Sequence, residues 1–351
     1  MTTIVLNIAS SRYADIEITK EFLSLVQSNN YIVSYVALAS VRKPSARTYI
    51  NSGFLAHMQR VCLRIKPDLI VCSIALQARY QRNLERALCV PLVDRTELLL
   101  SLFEKRAKSR AGQLQVELAR LSYMQTKLVR GWTHLERQRG GIGLRGGPGE
   151  TQIEVDRRIL RTQIHKTRCK LSGLQKTRAL NRQRRQAMGT YTIALVGYTN
   201  AGKSTLFNLI TGEKTWASNQ LFATLDPLVR KVNIPGIAVA PLLIDTVGFM
   251  RDLPDALITA FHATLEEINY CDLILHVVDC SDHEMYEKIT SVDLALARIG
   301  ATDIQKLTVF NKLDANPSFD VGLQKSACSL SALQKNSLLP LYTLLRCFVP
   351  S

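Results

Sequence analysis

The chain has 351 residues, 46% of them apolar, and a formal net charge of +16. That length gives room for two domains with their own cores, and that composition excludes a disordered or fibrous chain. No apolar run reaches the roughly 18–20 residues of a bilayer span, and no basic stretch precedes the short apolar run at the N-terminus, so neither a membrane span nor a secretory signal is read.

Residues 1–103 alternate short apolar runs with amphipathic ones. Runs at 4–8, 32–39, 68–73 and 91–94 predict strands, and stretches around 17–27, 53–65, 77–88 and 96–103 predict helices. That rhythm predicts a small α/β domain with a largely parallel sheet.

From about 104 the strand signals stop. Leu114, Leu118, Leu121 and Leu128 recur at helical spacing, as do Leu160, Ile164, Leu171 and Leu174. Between them lies a segment with six glycines and a proline within 140–149. Residues 104–188 therefore predict a long basic helical hairpin with a glycine-rich tip. The charge is concentrated here. Residues 105–185 hold 21 Lys/Arg and 5 Asp/Glu, a net +16, and the remaining 24 basic and 24 acidic residues cancel. The second arm is the extreme, with 11 Lys/Arg and no acidic residue in 157–185. A solvated helix face normally mixes signs, so this is the footprint of a polyanion partner. Trp132 and His134 at the tip's base could stack on exposed bases or pack the root of the hairpin.

Residues 189–351 return to alternating strands and helices, predicting a doubly wound sheet. Strands are expected at 192–197, 228–234, 237–245, 272–279, 306–310 and 327–331, with a last helix near 338–348. The first strand runs into Gly197-Tyr198-Thr199-Asn200-Ala201-Gly202-Lys203-Ser204-Thr205, a G-x-x-x-x-G-K-S phosphate loop between strand and helix. Its amides and the helix N-terminus suit phosphate, Lys203 should meet the β- and γ-phosphates, and Ser204 should ligate Mg²⁺. Asp245-Thr246-Val247-Gly248 ends another apolar strand. Asp245 should hold Mg²⁺ through a water, and the Gly248 amide should sense the γ-phosphate. Phe222-Ala223-Thr224 offers Thr224 as the second hydroxyl on the metal. Asn311-Lys312-Leu313-Asp314 selects guanine, because Asp314 accepts from N1 and N2, which adenine does not offer. Ser331, Ala332 and Leu333 complete the base pocket, although Asn336 and Ser337 stand where a glycine is often found. These loops define a GTP/GDP-binding GTPase in which Lys203, Thr224 and Gly248 serve catalysis. Ras-type proteins orient the attacking water with a Gln after DxxG. Here that residue is Phe249, which cannot hydrogen-bond water, so intrinsic hydrolysis should be slow. Asn200 resembles the phosphate-loop Asn of potassium-using GTPases, or simply braces its loop.

The eight cysteines are scattered, with no CxxC pair or zinc spacing, and read as reduced packing thiols of a cytoplasmic protein.

The chain resembles the HflX family of ribosome-associated GTPases across nearly its whole length. The resemblance rests on KPSARTYINSG (43–53), QRNLERAL (81–88), the segments 94–121 and 130–158, GYTNAGKSTLFN (197–208), FATLDP (222–227) and DTVGFMRDLPDALITAFHATLEE (245–267). It implies a monomer that binds the large ribosomal subunit and, with GTP, separates or rescues stalled ribosomes. Phe249 matches the family's hydrophobic substitution, and hydrolysis would be stimulated by the ribosome. Arg139, Arg145, Arg157, Arg158, Arg161, Lys166, Arg168 and Lys170 are then expected to meet rRNA phosphates. Asn51 and Phe54 depart from the pattern of a second nucleotide site in the N-terminal domain. Contacts attributed to the further C-terminal domain of many members are expected to be absent. A nucleotide-tuned RNA remodeller or ribosome-assembly GTPase without splitting activity is the alternative.

Overall fold

Uninterrupted apolar runs become parallel strands buried on both faces, with helices crossing over between them. The computed structural model describes residues 1–9, 16–131, 152–212, 221–222, 224–251, 254, 257, 259–260, 266–322 and 326–349. They form two compact units, Met1–Lys105 with Val116–Cys169, and Arg106–Gln115 with Lys170–Ser351.

In the first unit, β1 (Thr2–Ala9), β2 (Ile32–Ser40), β3 (Leu69–Cys72) and β4 (Leu92–Val93) form a parallel sheet in the order β2-β1-β3-β4. Ile4, Val5 and Leu6 are fully buried because β1 is an interior strand. Helices α1 (Ile16–Ser28), α2 (Ser52–Ile65), α3 (Ala78–Leu88) and α4 (Arg95–Arg106) complete this region. Helix α3 buries Tyr80, Leu84 and Leu88, one residue per turn on one face. Asn51 is a helix cap: its Oδ1 accepts the Phe54 N–H at 2.9 Å at the start of α2.

A buried polar knot sits beyond β4. Asp94 is fully buried and accepts from Lys127 Nζ (2.9 Å), the Tyr123 hydroxyl (2.8 Å) and the backbone N–H groups of Leu76 (3.2 Å) and Glu97 (3.0 Å). Burial and the neighbouring Asp94 charge push the Tyr123 hydroxyl pKa up, so it stays a donor.

The leucine spacing of the central region yields α5 (Arg110–Gly131) and α6 (Gln152–Ala187), and the division between units passes through both helices. On α6, Leu160, Ile164, Thr167 and Leu171 are buried along one stripe, whereas Arg158, Arg161, Lys166, Arg168 and Lys170 are exposed. Arg157 is half-buried. Not all the arm's charge faces solvent. Arg185 and Arg182 pair with Glu267 at 3.1 and 3.5 Å, and the Arg182 guanidinium lies 3.6 Å from the Tyr270 ring centroid. The glycine-rich tip, with Trp132, His134, Arg139 and Arg145, lies outside the described residues.

The second unit holds a six-stranded sheet in the order β10-β9-β8-β5-β7-β6. Its strands are β5 (Thr192–Gly197), β6 (Leu228–Lys231), β7 (Leu242–Asp245), β8 (Leu273–Asp279), β9 (Gln305–Asn311) and β10 (Ala327–Ser329). All pairings are parallel except that of β6 with β7. The strand expected over 237–245 narrows to Leu242–Asp245. Pro235 and Gly236 turn the chain, and Pro241 has no N–H to give a ladder. Helices α7 (Lys203–Thr211), α8 (Met285–Arg298) and α9 (Leu339–Arg346) flank the sheet, and Phe207, Leu275, Val309 and Leu341 meet in its core. Among the described residues no helix is long and apolar enough to cross a membrane. The eight cysteines are all free thiols, five of them buried.

Candidate nucleotide site

The site forms where parallel strands end and helices begin, the crevice at which open α/β sheets bind ligands. Strand β5 delivers Gly197, and the chain turns through Asn200 (φ 63°) and Gly202 (φ 92°) into α7. The left-handed backbone at 200 is one that Asn tolerates better than most residues, a conformational reason for it there. Gly202 has no alternative, since a Cβ there would collide with the Asn311 side-chain amide.

Lys203 is 6% exposed, and its ammonium donates to the carbonyls of Gly197 (3.0 Å) and Tyr198 (2.8 Å). Burial pushes its pKa down to about 8, against a partial opposing effect of the Asp245 charge. Gly248 lies against it, for a Cβ at 248 would stand 3.0 Å from Lys203 Nζ. The sheet therefore places Lys203 and Gly248 at one point.

Three oxygens converge beside them. Thr224 Oγ1 lies 2.7 Å from Ser204 Oγ, and both hydroxyls donate to Asp245 Oδ2 at 2.8 Å. Asp245 is fully buried at the end of β7, and burial raises its carboxyl pKa. Its Oδ1 is buried and makes no hydrogen bond, as is Thr199 Oγ1. Hard oxygens converging on a buried carboxylate with an open valence fit a magnesium ion, which takes oxygen ligands. Thr205 continues α7, Thr246 anchors its loop by donating to the Leu195 carbonyl at 2.6 Å, and Val247 is buried. Phe222 is buried and Ala223 lies outside the described residues.

Phe249 is 4% exposed. Its N–H donates to the Gly197 carbonyl (3.0 Å) and its carbonyl accepts from Thr199 N–H (2.7 Å), so the loop after Gly248 is stitched to the phosphate loop. The position usually given to a water-orienting Gln is an apolar anchor.

At the C-terminal ends of β9 and β10 the second cluster assembles. Asn311 Nδ2 donates to the Ala201 carbonyl and its Oδ1 accepts from Ala332 N–H, each at 2.9 Å, joining the phosphate loop to the base loop. The Ser331 hydroxyl holds Asp314 Oδ1 at 2.5 Å, and Lys312 pairs with Asp279 at 2.6 Å. Leu333 is exposed. Ser337, noted in the sequence only as a missing glycine, braces this loop by donating to the Ser331 carbonyl at 2.5 Å. The sequence also gave no sign that Arg251 ties the loop after Gly248 to Glu284 and Glu287, each at 3.0 Å.

Comparison with known proteins gives the family and the fold. Three family descriptions match consecutive segments: "GTP-binding GTPase N-terminal" over 17–104, "GTP-binding GTPase Middle Region" over 106–185 and "50S ribosome-binding GTPase" over 192–312. GTPase HflX of Magnetococcus marinus is 50% identical over 294 residues, 84% of this chain and 68% of that protein. GTPase HflX of Escherichia coli is 43% identical over 317 residues, 90% of this chain and 74% of its own. A GTP-binding protein of the archaeon Sulfolobus solfataricus, solved with GDP, shares the fold, with a TM-score of 0.51 at 23% identity over 99% of this chain and 98% of that one.

Proposed function

Since this chain belongs to the HflX family of GTPases, we propose that its GTP cycle drives binding to the large ribosomal subunit and dissociation of stalled or idle ribosomes. The observation that supports this most is the exposed basic face of α6 opposite its buried stripe, since α6 carries the strongest single-sign charge in the chain. Arg158, Arg161, Lys166, Arg168 and Lys170 would meet rRNA phosphates, and Arg157, Arg139 and Arg145 would add to the same contact. The match of residues 192–312 to a family described as ribosome-binding supports the same partner.

At the nucleotide site, Lys203 would hold the β- and γ-phosphates, Asp314 would select guanine, and the Gly248 amide would report the γ-phosphate. Ser204, Thr224 and, through a water, Asp245 would hold Mg²⁺, which when bound neutralises charge on the β- and γ-oxygens. Phe249 offers the attacking water no hydrogen bond, so unstimulated hydrolysis is slow and the ribosome supplies the missing orientation. Potassium near Asn200 would add a further charge to the same end. The protein acts as a monomer in the cytoplasm.

The test is sedimentation of ribosomes with the purified protein and a non-hydrolysable GTP analogue, GDP or no nucleotide, across a salt series. Co-migration with the large subunit and depletion of intact ribosomes with the analogue alone is the expected result. Equal binding in every nucleotide state with ribosomes left intact would overturn it in favour of an RNA remodeller.

A further inference from the structure

The loop that brings Thr224 to the metal cluster carries a second anchored side chain two residues on. Asp226 Oδ2 accepts from the backbone N–H groups of Lys108 (3.1 Å) and Ser109 (2.7 Å), and its other oxygen accepts a hydrogen bond from the Ser109 hydroxyl. The Ser109 oxygen in turn accepts the Gly112 N–H at 2.9 Å. These two amides immediately precede α5, with Ser109 at its N-cap, where a helix leaves N–H groups without intrahelical partners and where negative charge is favoured. The helix is thus capped by Ser109 and by a carboxylate 117 residues further along the chain. Gly112 is part of the fit, because a Cβ there would collide with the Asp226 carboxylate.

The link between the two anchors is short and stiff. Thr224 is held to Asp245 at 2.8 Å, and Leu228, at the start of β6, pairs with Asp245 across the sheet. Two extended residues span at most about 7 Å, so little slack separates Thr224 from Asp226. Pro227 further restricts Asp226 to extended conformations. When Thr224 leaves the metal cluster, Asp226 must move or the cap must break.

We infer that Asp226 is the positioning residue that couples nucleotide state to the basic arm: with Thr224 engaged the carboxylate caps α5, and with Thr224 released the cap is lost. Of the proposed function this uses only the Mg²⁺ role of Thr224, and it needs no ribosome. The coupling is intramolecular, between the loop at 224–227 and the first turn of α5.

Amide hydrogen exchange on the full chain tests it, with Mg²⁺ and either a non-hydrolysable GTP analogue or GDP. A capping side chain changes local opening by roughly fivefold to tenfold, so amides of 108–113 should exchange more slowly by about that factor with the analogue. Asp226→Ala should erase this difference while leaving GDP affinity within about threefold of the original. Gly112→Ala, which displaces the carboxylate and favours helix, should do the same, and Asp226→Asn, which keeps an acceptor for the two N–H groups, should retain most of the difference. Equal exchange of 108–113 in both nucleotide states of the unaltered protein would overturn the inference, as would a nucleotide-dependent difference that survives both Asp226→Ala and Gly112→Ala. Failure of ribosome splitting with the exchange difference intact would count against the proposed function alone.

Discussion

Both units hold a largely parallel sheet that buries one aspartate completely near a strand end, and they treat it in opposite ways. Asp94, after β4, receives four hydrogen bonds, one of them from the Lys127 ammonium, so the buried carboxylate is fully partnered. Asp245, at the end of β7, shares one oxygen between two hydroxyls and leaves the other without a bond. Beside it Lys203 is buried against carbonyls, with its pKa pushed down to about 8. A buried charge that is fully satisfied holds a fold together, and one left partly unsatisfied is a place built for something else. Similar sheets thus give a structural pair in one unit and a binding site in the other.

The sharpest way to break the comparison is to remove each aspartate. Asp94→Ala should lower stability by about 2–4 kcal/mol, because the Tyr123 hydroxyl, the Leu76 and Glu97 amides and the Lys127 ammonium lose their shared acceptor. Thermal or denaturant unfolding measures it, and a loss as small as that of an exposed carboxylate would sink the contrast. Asp245→Asn should lower GTP hydrolysis by about 10²–10³-fold, the size expected when an electrostatic element of a site is removed. Its melting temperature should fall less than that of Asp94→Ala, and an equal fall would mean that Asp245 too is structural.

A pH series sharpens the Lys203 half of the contrast. Phosphates need the lysine charged, and in the nucleotide-free protein that charge is lost as pH rises through about 8. GDP affinity should therefore be full at pH 7 and about tenfold weaker at pH 9, a profile read by fluorescence titration. A flat profile would mean that Lys203 does not lose its proton in this range. The smallest effect is expected at Ser337→Ala. Losing one brace on the Ser331 carbonyl should weaken GDP binding by about threefold to tenfold without altering preference for guanine over adenine, measured by competition.

The strands and crossover helices were legible because an interior parallel strand must be apolar on both faces, as in β1, β5 and β8. The nucleotide loops were legible because phosphate and base recognition demand particular residues at fixed spacing after a strand. Other features were not. The run 237–245 looked like one strand until Pro235, Gly236 and Pro241 shortened it. Arg182 and Arg185 read as part of a uniform basic arm, yet they meet Glu267 about eighty residues away.

Taken alone, the sequence determined the class of the sheets, the GTPase class that its loop motifs signal, and the concentration of charge in 105–185. Each of these follows from residue type and local spacing, which strand and helix periodicity translate directly into position. Only the tertiary structure decided which buried charge is satisfied, which arginines are already paired, and that Asp226 caps a helix more than a hundred residues before it. Those are properties of partners brought together by topology, and a hydrogen bond between distant segments leaves no periodic trace in either one.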